Sequence, residues 1–154
     1  MPVRKLKEFL NKNNVRYVSI SHSIAYTAQE VAASSHVAGR EMAKTVMIKI
    51  GGEMAMAVLP STFQIDFHLL KKGLNASSVI LAGEGEFKGM FGDCELGAMP
   101  PFGPLYGIKV FVDETLKEDE EIAFNAGSHT EIIKLAYNDF ERLAEPKLLK
   151  FSYK

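Results

Sequence analysis

The chain has 154 residues, of which 47% are hydrophobic and 24% are charged, and its formal net charge is −1. This size suits one well-filled core, so we expect a single globular domain over residues 1–154. No window reaches the roughly 20 apolar residues that span a bilayer, and the N-terminus lacks a signal-peptide core, which predicts a cytoplasmic protein without membrane contact. A single cysteine, Cys94, excludes an internal disulfide and a cysteine-based zinc site.

The near-neutral total conceals an uneven distribution of charge. Residues 1–50 carry a net charge of +5, whereas residues 113–154 carry −4. A one-sided positive surface of this kind attracts polyanions such as nucleic acids. The same lysines would also suit the solvated faces of amphipathic helices, so charge alone leaves both interpretations open.

The chain begins with a predicted helix, strand and second helix. Apolar residues at helical spacing predict an amphipathic helix that ends near Asn13 and Asn14, and RYVSI follows as a short strand. Thr27 and Glu30 form a capping-box pattern for a second helix, which Gly39 would close.

A long hairpin and a third helix come next. The β-rich runs AKTVMIKI and EMAMAVLP meet at Gly51 and Gly52, which predicts a hairpin that ends at Pro60. The segment FQIDFHLLKKGL then predicts a helix that stops at Gly73.

The second half alternates short strands with weak helices. We expect strands at SVILA, IKVFVDE, EIAFNAG and TEIIKLAY, and a brief helix at EGEFKGMF. A last short helix, capped by Asn138 or Asp139, precedes Pro146. The succession predicts an α+β (mixed α/β) domain, with a mixed, largely antiparallel central sheet or partial barrel flanked by helices.

Most standard catalytic motifs are missing from the sequence. It has no P-loop, no HExxH, no GxSxG and no GxGxxG before a helix, so nucleotide hydrolysis, zinc proteolysis and α/β-hydrolase chemistry lack their signatures. The remaining candidates are Lys44, His22, His129, Cys94 and the loops GAMPPFG and AGSHT.

Lys44 opens the first strand of the predicted hairpin. By alternation it shares a face with Val46, Ile48 and Ile50, which is the inward face if those residues form the core. An ammonium group there must reach the sheet edge or serve a charged ligand, because burying it unpaired is costly.

Cys94 is a candidate nucleophile, with His129 as its base. A reactive thiolate needs a cationic neighbourhood, yet the two residues that flank Cys94, Asp93 and Glu95, are both acidic. We therefore favour a packed structural cysteine and keep a cysteine hydrolase as an alternative. His22 and His129 suit structural roles as well as catalytic ones.

The glycine-rich loop GDCELGAMPPFG specifies its backbone unusually tightly. Gly97 and Gly103 bracket two prolines, which fix φ and remove two donors, so the remaining N–H groups point in defined directions. Such a loop can hold an oxyanion, and Gly127 offers a second close backbone approach. Two ordinary turns would satisfy the same pattern.

The motif order resembles a known family. The segments AKT, LP followed by QID, GAMPPFG, VFVDETL, EIAFNAGSH and DFERLAEP resemble the YbaK family of aminoacyl-tRNA deacylases, which is related to the editing insertion domain of bacterial prolyl-tRNA synthetase. The resemblance covers nearly the whole chain and looks like the free-standing, trans-editing form. The sequences GAMPPFG and IAFNAG are most similar to the stand-alone branch of the family that is associated with deacylation of seryl- and threonyl-tRNA.

The resemblance implies hydrolysis of the ester of a mischarged tRNA carrying serine, threonine, alanine or proline, without metal, cofactor or covalent nucleophile. It implies that Lys44 of the K-T motif holds the terminal phosphate or orients the ester, that the loop from Gly97 to Pro101 lies near the scissile carbonyl, and that the Gly127 motif contacts the aminoacyl group. The implied catalytic residues are Lys44, Gly97, Ala98 and Pro101, and the implied substrate-binding residues are His22, Thr45, Met99, Phe102, Gly103, Gly127, Ser128 and His129.

The mechanism we expect is substrate-assisted, with a ribose hydroxyl helping to activate water. Met99, together with Met42 and Met47, would form an adaptable pocket, and Ser128 and His129 would tune amino-acid selectivity. The expected partners are the acceptor end of aminoacyl-tRNA and, as a further candidate, a synthetase. Two alternatives to catalysis stay open: a non-catalytic module that binds aminoacyl-tRNA or a synthetase, and a regulator that binds another small molecule or nucleic acid.

Overall fold

A computed structural model describes residues 4–21, 41–91, 94–95 and 98–154, and for Lys88 it describes only the main chain. The helices in these ranges are α1 (Arg4–Lys12), α2 (Phe67–Leu74), α3 (Glu84–Phe87) and α4 (Tyr137–Ala144). The strands are β1 (Tyr17–Ser21), β2 (Ala43–Ile50), β3 (Glu53–Pro60), β4 (Gln64–Ile65), β5 (Val79–Leu81), β6 (Lys109–Asp113), β7 (Glu121–Ser128), β8 (Glu131–Ala136), β9 (Lys147–Leu149) and β10 (Ser152–Tyr153).

The strands form three sheets. The largest has the order β5-β2-β3-β6-β9, a second has the order β1-β8-β7, and β10 pairs with β4. The pairs β3–β6 and β6–β9 are parallel, and the other pairs are antiparallel. This arrangement confirms the predicted α+β class with a mixed, largely antiparallel sheet.

The hairpin of β2 and β3 forms as the sequence predicts. Ile50 pairs directly with Glu53, which leaves Gly51 and Gly52 as a two-residue turn. Their φ angles of 56° and 92° are the positive values that a tight hairpin turn requires. The hairpin therefore fixes the register of the strand that carries Lys44.

The main core lies between the two larger sheets, and Phe102 is at its centre. The ring of Phe102 is fully buried. Its centroid lies 5.9 Å from that of Phe9 on α1, 5.4 Å from Phe124 on β7 and 5.6 Å from Phe140 on α4. These edge-to-face contacts anchor the end of the glycine-rich loop to three elements.

The two larger sheets meet where β2 begins. Met42 and Ala123 form a parallel bridge, and the N–H of Ala123 donates to the carbonyl of Glu41 at 2.9 Å. Met42, Ala123 and Ile132 are fully buried together beside this junction. The start of β2 is thus held against the middle of β7.

Several predicted boundaries are wrong, each for a local reason. Helix α2 continues through Gly73 and ends at Asn75, which adopts a left-handed φ of 52° and caps the helix. Helix α4 begins at Tyr137 with Ala136 as its N-cap residue and no side-chain cap, so neither Asn138 nor Asp139 caps it.

The short strands β4, β9 and β10 are not visible as sequence patterns. The helix predicted between Thr27 and Gly39 lies outside the described residues. None of the described helices is long and apolar enough to cross a bilayer.

Candidate active site

Gly127 ties the two predicted glycine loops together. Strand β7 has a register shift between Asn125 and Ser128, and Gly127 adopts a φ of 96° there. Its N–H donates to the carbonyl of Ala98 at 2.9 Å, and its carbonyl accepts from the N–H of Glu95 at 2.8 Å. The bulge therefore docks the glycine-rich loop onto the edge of β7.

The turn between β7 and β8 makes a second contact with that loop. The main-chain N–H of His129 donates to Oε2 of Glu95 at 2.9 Å, and Nε2 of the buried His129 ring lies 4.0 Å from the same oxygen. The hydroxyl of Ser128 lies 3.2 Å from that of Thr130 and accepts from its N–H at 3.3 Å. Ser128 thus stabilises the turn, and Glu95 joins the turn to the loop.

From Ala98 onward, the described part of the loop is buried and held by main-chain hydrogen bonds. Residues 98–103 are all buried. The N–H of Ala98 donates to Glu95 and that of Phe102 donates to Pro100, while Pro100 and Pro101 have no N–H. Consequently these residues position the loop, and the donor that the sequence predicts at Gly97 lies outside the described residues.

Close packing against neighbouring residues leaves no room for a side chain at Gly103. A Cβ atom there would lie 2.1 Å from the carbonyl oxygen of Ile108 and 2.5 Å from Cγ2 of Val110. Substrate binding by Gly103 or by the fully buried Phe102 stays a prediction, because their contacts are with the core.

Lys44 lies half-buried near the start of β2. Burial penalises the charged ammonium and lowers the pKa of Lys44, and no described carboxylate offsets this cost with an ion pair. Alternation along β2 places Lys44 on the face of Met42 and places Thr45 on the opposite face. Lys44 and Thr45 are therefore not brought together.

We call the stretch of the β7 edge between its contact with the residues before β2 and its contact with the glycine-rich loop the notch. On this edge of β7, the N–H of Ala123 bonds to Glu41 before β2, and four residues later the N–H of Gly127 bonds to Ala98 of the loop. Asn125 lies between these two points. Lys44 and Asn125 each follow the Met42–Ala123 bridge by two residues, on the same face.

Asn125, which borders the notch, has a main-chain N–H on that edge and a side-chain oxygen without a partner in the described part of the chain. Antiparallel pairing alternates, so the N–H of Asn125 points away from β8, like that of Ala123. Its side-chain Oδ1 is buried and has no hydrogen-bond partner among the described residues. Sequence reasoning missed Asn125 and Glu95, because their roles depend on pairing between distant segments.

The methionines and Cys94 have packing roles. Met47 and Met99 belong to the main core, whereas Met42 is buried at the sheet junction, so the structure does not group the three as one pocket. Sγ of Cys94 lies 3.5 Å from the hydroxyl of Tyr106. The structure thus pairs the thiol with a phenol and pairs His129 with a carboxylate.

Other candidates lie elsewhere or outside the described ranges. His22 and Gly97 are not among the described residues. Within the described part, no group of three or more His, Cys, Asp or Glu side chains could hold a metal ion. A cavity of about 440 Å³ is lined by β3, β6 and β9 residues such as Met54, Lys109 and Lys147, and by none of the predicted site residues.

Comparison with known proteins decides the family. Residues 22–143 match the aminoacyl-tRNA editing domain. The chain belongs to this family. The match spans Lys44, both glycine loops and the notch.

Individual relatives agree with the assignment. The chain is 28% identical over 153 residues to the multifunctional Ser/Thr-tRNA deacylase ProXp-y of Escherichia coli K12, covering 96% of this chain and 91% of the relative. The fold is similar to that of a proposed trans-editing enzyme for prolyl tRNA synthetase, with a TM-score of 0.83, 15% identity and coverage of 99% and 98%. A hypothetical protein has a TM-score of 0.86 at 19% identity, with coverage of 97% and 100%.

Family membership confirms the predicted fold and the predicted class of activity, a hydrolase that deacylates aminoacyl-tRNA. Aminoacyl-tRNA is accordingly the substrate class of this editing domain. The roles of the individual site residues stay predictions.

Proposed function

We propose that this editing domain acts in trans on mischarged tRNA and removes serine or threonine from its 3′ end. The substrate preference is supported by the Escherichia coli relative, which is a Ser/Thr-tRNA deacylase and aligns over 96% of this chain. Alanyl and prolyl esters are the next candidates, because a hydrophobic pocket separates side chains that differ by one methylene by only about 10- to 200-fold.

One observation carries the proposed location of the reaction. Gly127 holds the glycine-rich loop against β7 through two main-chain hydrogen bonds of 2.9 and 2.8 Å, directly beyond the notch that Lys44 and Asn125 flank. In this proposal the Lys44 motif and the Gly127 motif, which lie more than 80 residues apart in sequence, border the notch. A preorganised group of donors and one cation suits an ester whose carbonyl oxygen becomes negative.

The chemistry that fits this site is hydrolysis without a covalent intermediate. Water adds to the ester carbonyl, the bond between that carbon and the ribose oxygen breaks, and the proton from water ends on the ribose oxygen. The neighbouring ribose hydroxyl of the terminal adenosine relays this proton. Lys44 anchors the terminal phosphate or orients the ester, and Gly97 and the N–H of Asn125 stabilise the developing oxyanion.

The partners and location follow from this activity. The acceptor end of aminoacyl-tRNA occupies the notch, and a synthetase that releases mischarged tRNA is the proposed protein partner. Translation places both in the cytoplasm, where we expect this protein to act without a metal or cofactor.

The direct test is release of free amino acid from tRNAs charged with alanine, serine, threonine, cysteine or proline. We expect the wild-type protein to hydrolyse seryl- and threonyl-tRNA fastest, at rates that EDTA leaves unchanged. Hydrolysis of none of the five esters by folded protein would overturn the proposed activity, and loss of activity in EDTA that zinc or magnesium restores would overturn the metal-free mechanism.

A further inference from the structure

The side-chain carbonyl of Asn125 has no structural role among the described residues. Its Oδ1 is buried without a hydrogen-bond partner, which is costly for an amide. Buried polar groups in native proteins are nearly always satisfied, so an exception at a site points to a ligand that supplies the missing donor.

The position of Asn125 identifies what such a ligand can be. Asn125 lies on β7 between Ala123, which contacts the start of β2, and Gly127, which contacts the glycine-rich loop. Consider an ester bound in the notch with its carbonyl oxygen hydrogen-bonded to main-chain N–H groups. Its α-carbon is bonded directly to the carbonyl carbon that reacts. The α-ammonium group, which every aminoacyl ester has, is then the nearest donor on the substrate.

The charges around the notch favour an uncharged acceptor for this task. Lys44 lies on the same face as Asn125, two residues beyond the shared bridge in both strands. A carboxylate next to it would pair with the lysine ammonium and neutralise the cation that the phosphate needs. An amide carbonyl accepts from the substrate ammonium without that competition.

We propose that Oδ1 of Asn125 accepts a hydrogen bond from the α-ammonium group of the aminoacyl ester, so that Asn125 is a substrate-positioning residue that selects a free amino group. This inference rests on the proposed deacylase function. It predicts that the domain discriminates against tRNA whose amino acid is N-acylated, since acylation removes the charge and adds bulk at the acceptor.

The test compares seryl-tRNA with N-acetyl-seryl-tRNA as substrates for the wild type, Asn125→Leu and Asn125→Asp. We expect the wild type to prefer the free amino group. In Asn125→Leu, which keeps the size and loses the acceptor, kcat/KM for seryl-tRNA falls roughly 10- to 100-fold, the value of one charge-assisted hydrogen bond. The preference over the acetylated ester is then largely lost, whereas Asn125→Asp retains the preference at a lower overall rate, because its carboxylate also pairs with Lys44.

Two controls separate this role from a structural one. Ser152→Ala removes another buried oxygen without a partner, the Oγ of Ser152, from a strand outside the site, and it leaves both kcat/KM values unchanged. Asn125→Leu has a melting temperature no lower than the wild type, because it removes a buried unsatisfied group.

Other outcomes overturn the inference. An equal fall for both esters in Asn125→Leu, or an unchanged preference, would remove Asn125 from ammonium recognition. A fall confined to seryl- and threonyl-tRNA with alanyl-tRNA unaffected would show that Asn125 binds the side-chain hydroxyl instead. If the wild type hydrolyses neither ester, the proposed function fails, whereas an active wild type with an unchanged preference in the leucine variant sinks only this inference.

Discussion

Gly127 shows how one backbone angle joins the glycine-rich loop to the sheet. Its φ of 96° lies in a region that residues with a Cβ rarely adopt. That angle turns the N–H and the carbonyl of Gly127 out of the β7–β8 ladder and toward the glycine-rich loop. Glycine is therefore required for the connection between the loop and the sheet.

We predict that Gly127→Ala destabilises the fold by about 1–2 kcal/mol, the usual cost of a positive φ for a residue with a side chain. Deacylation falls further than this loss of stability explains, because the loop is displaced from the notch. Chemical denaturation and initial rates on seryl-tRNA measure the two effects. Gly85→Ala is the matched control, since a Cβ there meets no atom within 4 Å; equal behaviour of the two variants would refute the role of Gly127.

Among elements, the turn between β7 and β8 and the glycine-rich loop behave as one unit. Glu95 connects them, since its N–H donates to Gly127 and its carboxylate accepts from the N–H of His129. Helix α1 supports the same turn from the other side, because Lys7 forms an ion pair of 2.9 Å with Glu131. Burial raises the pKa of Glu131, but hydrogen bonds from Ser19 and Lys7 outweigh this effect and lower it.

Removing the carboxylate of Glu95 tests that unit. We expect Glu95→Ala to reduce kcat/KM for seryl-tRNA roughly tenfold, which corresponds to one charge-assisted hydrogen bond of about 1.5 kcal/mol. Glu95→Gln keeps an acceptor for His129 and restores most of the rate. The control is Glu118→Ala, which removes an exposed carboxylate outside the site. A Glu95→Ala protein as active as this control would show that the loop holds its position without the contact.

At the scale of the whole molecule, the uneven charge has a structural counterpart near the site. Lys5 on α1 lies 4.6 Å from the centre of the Tyr106 ring, and the Tyr106 hydroxyl contacts Cys94, next to Glu95. Lys12 and Arg16 are exposed on the same segment. These cations lie on elements that support the loop, so we expect them to contact the phosphates of an acceptor stem.

Salt dependence measures that interaction. We expect log KM for seryl-tRNA to rise linearly with log salt, and each neutralised phosphate contributes about 0.7 to 0.9 to the slope. Replacing Lys5 and Arg16 by glutamine lowers the slope, whereas Lys150→Gln, at an exposed position in the acidic C-terminal part, leaves it unchanged. A slope near zero for the wild type would exclude phosphate contacts by this surface.

The sequence predicts the parts of this molecule that local patterns determine. Alternation and the Gly51-Gly52 turn predict the β2–β3 hairpin, and most other strands and helices follow from their periodicity. The end predicted for α2 at Gly73 is wrong, because Gly73 packs within van der Waals distance of Leu149, and a left-handed Asn75 ends the helix. Glu95 and Asn125 escaped prediction, since their roles require β7 to meet β2 and the loop at two separate points.

The measurement that tests the central claim most directly is the single-turnover decay of seryl-tRNA with the wild type and with Lys44→Met. We predict rapid release of serine by the wild type and a loss of at least about 100-fold in the variant, because the notch loses its cation. The fold stays at least as stable, because the substitution removes a half-buried ammonium group. A folded Lys44→Met protein that releases serine at the wild-type rate would contradict the assignment of the notch as the active site.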